Sequence, residues 1–171
     1  MPARTHADRT ARPPHLHPGL VALVAAGGAV GTLARYGLNA ALPGAEDGGW
    51  PVATTVENLV GALALGALLG ALGRAPGSPR ARALRLALGT GVLGGFTTFS
   101  TLAVEVERSL AGGDVLLGAA YGLVSGVVGV AAAALGLVVG GRVRGASTRD
   151  ARRGTGATVD RATRRHDGGG S

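Results

Sequence analysis

The chain has no cysteine, which excludes disulfides, thiolate metal sites and cysteine nucleophiles. It has no lysine either, so all 17 basic residues are arginine. Aromatic side chains make up only 3% of the 171 residues: two Phe, two Tyr and one Trp. That fits poorly with a water-soluble core, where large aromatic side chains carry much of the burial. The four histidines, His6, His15, His17 and His166, lie only in the terminal segments. There is no Gly-rich phosphate loop, no histidine pair and no nucleophile beside a base, so the sequence does not read as an enzyme. The formal charge of +7 raises nucleic acid as a partner, but the placement of charge sets it aside. Fifteen of the 17 arginines lie in the tails or around one internal loop, and none alternates with aromatics.

What the chain does have is long uncharged blocks rich in Ala, Leu, Val and Gly. Four read as membrane spans: Gly19 to about Leu38, Pro51 to about Leu72, Ala83 to about Val106, and Val115 to about Val139. Each is near the roughly 20 residues needed to cross a hydrocarbon layer of about 30 Å. Three later spans of similar quality make the first a retained helix and not a cleaved signal peptide. The expected organisation is a disordered cytoplasmic tail over 1–18, a four-helix membrane domain over 19–141, and a disordered Arg/Gly-rich tail over 142–171. Trp50 and Pro51 suit an interfacial aromatic followed by the first residue of a helix. Gly27 and Gly31 form a GxxxG pair, and Gly118, Gly122 and Gly126 repeat the spacing, which lets helix backbones approach closely in lipid.

The third span carries the most informative stretch, Gly94-Gly95-Phe96-Thr97-Thr98-Phe99-Ser100-Thr101. Both phenylalanines of the chain are here. Two glycines and four hydroxyl residues near the middle of a span predict a helix broken at the midplane, with polar groups turned toward protein or a cavity, since lipid would leave them unsatisfied. Charges within spans are few. Arg35, near the end of the first, is either a snorkelling interfacial arginine or a buried one bonding carbonyls. Glu57, beside Asn58, is a functional candidate or a solvated rim residue. Thr54, Asn58 and Gly61 or Ala62 share one helical face, and Tyr121 and Ser125, spaced i and i+4, share another. Asn amide, Ser, Thr and Tyr hydroxyls all donate hydrogen bonds, and a Phe ring offers a positive edge. Together they read as an anion path.

On these motifs the sequence resembles the CrcB/Fluc family of fluoride channels. Gly27 to Tyr36 resembles the family's first-helix signature, Thr54 to Gly61 with Asn58 its second-helix signature, and Gly94 to Thr101 with Glu105 its third-helix break. The match covers roughly 19–141. The resemblance implies an all-α membrane protein of the inner (plasma) membrane, with four transmembrane helices, the third broken, assembled as an antiparallel dual-topology-type dimer with two narrow fluoride pores. It implies Asn58, Phe99, Thr101, Tyr121 and Ser125 along the anion pore. It also implies a central structural sodium ion on backbone carbonyls at Gly94, Thr97 and Thr98, with Arg35 and Glu105 structural. The partners it implies are fluoride, membrane lipid and a homologous subunit. Three departures stand out: Leu102 where the family has a second phenylalanine, Gly129 where it often has a hydroxyl, and Glu57 where an apolar residue usually precedes the asparagine. Loss of an aromatic edge and a hydroxyl is expected to weaken at least one pore. Two other readings stand beside the channel: a four-helix small multidrug-type transporter, for which the membrane glutamate lies in the wrong helix, and a non-conducting partner subunit.

Arginine also orients the chain. Arg4, Arg9 and Arg12 precede the first span, Arg74, Arg80, Arg82 and Arg85 flank the second loop, and eight more follow the fourth span. With four spans these regions share one side, and Arg35 and Arg108 remain for the other. The positive-inside rule predicts both termini in the cytoplasm. So strong a bias disfavours insertion both ways. The expected antiparallel partner is therefore an inverted paralogue and not a second copy.

Overall fold

The computed structural model describes residues 17–42, 49–73 and 77–166, with side chains described as far as 143. Among the described residues the chain is all helix, without strands. Four helical stretches are long and apolar enough to cross a membrane: Pro18–Ala41, Val52–Leu72, Pro79–Ala111 and Val115–Val143. The expected spans are therefore present, and the third begins earlier and ends later than its uncharged core.

The first helix, α1 (Pro18–Ala41), opens on proline at its first turn, where the missing N–H is no loss. The second, α2 (Val52–Leu72), follows the Trp50-Pro51 pair. Its C-terminus is capped from the next span: Arg85 Nη2 donates to Leu72 O at 2.7 Å, placing a cation at the negative end of the helix. The third span is composite. It starts as α3 (Pro79–Leu84), where Ser78 is the N-cap and its hydroxyl accepts from Ala81 N–H. It widens into π-helical turns over Arg85–Leu93, closes with the short α4 (Gly94–Phe96), and resumes as α5 (Phe99–Ala111). Between α4 and α5, Thr97 and Thr98 are extended, with ψ of 156° and 117°. The glycines 94 and 95 remain helical, and the chain turns aside at the two threonines. At the end of α5, Gly113 takes φ 91°, a left-handed position that lets the chain reverse into α6 (Val115–His166). This helix runs on past the apolar part of the span, so over 142–166 the backbone is helical where the sequence suggested a disordered tail. An established helix lengthens without a new nucleation step. The reading of 1–18 as a disordered tail falls almost wholly outside the described residues.

Packing rests on glycine. Gly27 and Gly31 of α1 face the third span, and a Cβ on Gly31 would overlap Val92 O while one on Gly27 would overlap Ala87 O. The third span answers with its own pair: a Cβ on Gly91 would come within 2.9 Å of Val24 O, and one on Gly95 within 2.5 Å of Gly28 O. The second interface has the same reciprocity. Gly66 and Gly70 of α2 lie against Ala133 O and Leu137 O of α6, and Gly136 and Gly140 of α6 lie against Leu63 O and Ala67 O of α2. The subunit is thus two glycine-zipped pairs, α1 with the first half of the third span and α2 with α6. After the threonine break, α5 leaves α1 and leans on α6. The run Gly118, Gly122 and Gly126 plays a lesser part. Gly118 and Gly122 lie against Leu110 and Val106 of α5, and Gly126 and Gly129 meet no neighbour within 4 Å.

Lipid supplies no hydrophobic force between helices, so these close backbone contacts carry the association. Gly31→Val or Gly140→Val is expected to destabilise the subunit by about 2 kcal/mol or more, since the carbonyl it meets belongs to backbone and cannot swing away. Gly19→Ala, with nothing within 4 Å, is the control and should leave stability unchanged. Thermal unfolding in detergent compares the three.

Candidate functional site

The face of α2 that carries Thr54, Asn58 and Gly61 reads the third span residue by residue. Asn58 Nδ2 donates to Thr98 O at 3.0 Å, and Thr98 N–H donates to Asn58 Oδ1 at 2.9 Å. The amide therefore satisfies both backbone groups of the residue that breaks the helix. One turn on, a Cβ at Gly61 would overlap Thr97 Cγ2, so the missing side chain makes room for that threonine. Thr97 Oγ1 turns back to donate to Leu93 O at 2.9 Å. One turn before Asn58, Thr54 Oγ1 donates to Glu105 Oε1 at 2.8 Å.

Thr98 is buried and also serves as N-cap of α5, its hydroxyl accepting from Thr101 N–H at 3.2 Å. Around it gather the hydroxyls of Ser100, at 3.2 Å, and Thr101, at 2.9 Å. Between them Phe99 points outward and is 82% exposed. The start of α5 thus combines a helix N-terminus, three hydroxyls and a bare aromatic ring, a setting that favours negative charge.

Glu105, two turns along α5, accepts at both oxygens. Tyr121 O–H donates to Oε2 at 2.7 Å, and Thr54 takes Oε1. Tyr121 is fully buried, and Trp50 stands edge-on to it with ring centroids 5.3 Å apart at 82°. Trp50 Nε1–H in turn donates to Thr55 Oγ1 at 2.9 Å. This network joins the loop before α2 to α2, α5 and α6. Ser125, one turn beyond Tyr121, has a buried hydroxyl with no partner. Arg35 is half-buried, and its carbonyl accepts from Asn39 Nδ2 at 3.0 Å. The same amide donates to Glu57 Oε1.

Of the residues singled out in the sequence, the structure brings together Asn58, Thr97, Thr98 and Thr101 at the break, with Phe99 projecting beside them. Glu105 and Tyr121 meet in a separate cluster, and Gly94 lies exposed in α4. Sequence reasoning did not anticipate the acceptor role of Glu105 toward Thr54 and Tyr121, the edge contact of Trp50, or the reach of Asn39 to Glu57. Asn39 lies i+4 from Arg35, and that spacing was the available signal. Among the described residues no cluster of three or more His, Asp or Glu is placed to hold a metal ion.

Comparison with known proteins adds a family. Residues 22–137 match the model of the family described as CrcB-like protein, Camphor Resistance (CrcB). The chain is 44% identical over 136 residues to the fluoride-specific ion channel FluC 2 of Leifsonia xyli subsp. xyli, covering 79% of this chain and 92% of that one. It is 47% identical over 113 residues to the fluoride-specific ion channel FluC 1 of Cutibacterium acnes, covering 66% and 78%. To a fluoride-specific ion channel FluC of Thermus thermophilus it is 42% identical over 123 residues, covering 72% and 96%.

The Glu105 cluster makes its own prediction. Glu105→Leu strands two hydroxyls, on Thr54 and Tyr121, that are buried and have this carboxylate as acceptor. Each stranded group costs about 1–3 kcal/mol. Unfolding of Glu105→Leu in detergent should show a loss in that range or above it, and Glu105→Gln, which keeps one acceptor oxygen, a smaller one.

Proposed function

Because the chain belongs to the CrcB family, we propose that it forms a passive, fluoride-selective channel that lets cytoplasmic fluoride leave the cell. Its relatives bear the name of fluoride-specific ion channels, and the family is one of channels and not of enzymes. The observation that carries the reading is the interrupted third span, held by Asn58 and flanked by a bare Phe99. Fluoride enters acidified cells as neutral HF and dissociates inside. A potential negative inside then drives the anion outward through any selective pore.

In this reading Asn58 has two tasks. One N–H holds Thr98 O, and the other is left for the anion. The edge of Phe99 and the hydroxyls of Thr101 and Ser125 continue the path and replace part of the hydration shell. The unpartnered Ser125 hydroxyl supports this, because a buried donor without an acceptor calls for an occupant of its site. Tyr121 forms the wall behind Ser125, its own proton being held by Glu105. Leu102 and Gly129 leave this chain's share of the path less polar.

The third-span break also fits a sodium ion. Thr98 N–H, which would close a helical turn onto Gly94 O, is diverted to Asn58, so the carbonyl end of α4 is freed beside Thr97 and Thr98. Carbonyl oxygens suit such a hard cation, which when bound supplies positive charge between subunits. The carbonyls freed at the end of α4 would stay unsatisfied in lipid, so in this reading the break faces a second subunit in an antiparallel dimer. The arginine bias, with 15 residues on the cytoplasmic side against Arg35 and Arg108 on the other, favours a heterodimer of this chain with an inverted paralogue, both termini of this chain in the cytoplasm.

Reconstitution in liposomes with a fluoride electrode tests the proposal. Fluoride release is expected when the chain is combined with an inverted relative, and little from the chain alone. Asn58→Leu removes a hydrogen bond to a charged ion, worth about 1.5–3 kcal/mol, so flux through the pore it lines should fall by about tenfold or more. No fluoride release in either arrangement, or undiminished flux through Asn58→Leu, contradicts the channel assignment. Robust release by the chain alone contradicts the heterodimer and leaves the channel standing.

A further inference from the structure

Glu57 has no part in the anion path just described, yet it is fully buried, one residue before Asn58. Its Oε1 accepts from Asn39 Nδ2 of α1, and its Oε2 is buried without a partner. The charges that act on the carboxylate are Arg35, opposite in sign, and Glu105, alike in sign. A carboxylate beside an anion path is unfavourable in two ways, through its own desolvation and through repulsion of the anion. Its presence calls for a compensating task.

The two glycine-zipped pairs supply one. Within each pair, backbones meet at glycine and the spacing is fixed. Between the pairs lies a seam, with Asn58 on the side of α2 and α6 and Thr98 on the side of the third span. Side-chain hydrogen bonds cross it, among them Asn58 to Thr98 and Asn39 to Glu57. The last of these ties α1 to α2. No hydrophobic force closes such a seam in lipid, so polar ties set its width.

We infer that Glu57 is a positioning residue for anion selectivity: through Asn39 it latches the two helix pairs together and sets how Asn58 sits against Thr98, beside the projecting Phe99. The inference rests on the fluoride-channel reading. Held in place, the Asn58 amide fits fluoride and refuses the larger chloride, and with the latch undone it gives way to both.

The test measures chloride and fluoride flux from liposomes, in whichever subunit arrangement conducts. The variants are Glu57→Leu, Asn39→Leu, the double variant and Glu57→Gln. Each leucine variant should raise the chloride-to-fluoride flux ratio about tenfold, and the double variant no further, because the two residues form one contact. Glu57→Gln keeps an oxygen for Asn39 and should stay within about twofold of the parent. An unchanged ratio in both leucine variants overturns the latch, including the case where both fluxes fall together. So do additive effects in the double variant, or a glutamine variant that behaves like leucine. If the parent chain releases no fluoride in any arrangement, it is the channel reading that fails. The latch is then judged by unfolding in detergent, where a shared, non-additive loss from Asn39→Leu and Glu57→Leu supports it and independent losses overturn it.

Discussion

The broken third span, and with it the site, depends on one bidentate contact. A helix that stops inside a membrane leaves backbone donors and acceptors without partners, and lipid offers none. Here the side-chain amide of Asn58 takes the place of a missing helical turn, accepting from Thr98 N–H at 2.9 Å and donating to Thr98 O at 3.0 Å. An amide is suited to this, because it carries a donor and an acceptor with the spacing of a peptide group. A carboxylate lacks the donor and an aliphatic side chain lacks both.

The break has an architectural consequence. A straight third span could not lie against α1 along its first half and against α6 along its second. By going extended at Thr97 and Thr98, the chain changes neighbour and releases α5 to α6. The same turn exposes Phe99 and gathers hydroxyls at the N-terminus of α5. Fold and site therefore share a cause. The glycines act elsewhere, in bringing α1 onto the third span and α2 onto α6 at backbone distance.

Much of this was legible in the sequence. Long uncharged blocks bounded by arginine fixed the number of spans, because hydrocarbon thickness sets element length directly. The crowding of Gly, Phe, Ser and Thr at 94–101 located the break, though at the glycines and threonines together; the structure places it at the threonines alone. The GxxxG spacing marks Gly27 and Gly31 as a packing pair, and the structure packs them so. It does not identify their partners Gly91 and Gly95, or the reciprocal pairs at 66, 70, 136 and 140, since the spacing gives no clue to which helix answers it. The cluster of Glu105, Thr54, Tyr121 and Trp50 was hidden for a similar reason. Its members are separated by up to 71 residues in the sequence and meet only once three helices are packed. The sequence allows Arg35 an interfacial or a buried role, and in the structure it is half-buried, between the two.

Amide hydrogen exchange at Thr98, in the chain embedded in lipid bilayers, tests the account most directly. If Asn58 completes the broken helix, the Thr98 N–H exchanges slowly in the parent chain, and Asn58→Leu speeds it markedly while amides in α2 and α6 keep their protection. Equal exchange at Thr98 in the two proteins would contradict the claim that this side chain holds the break.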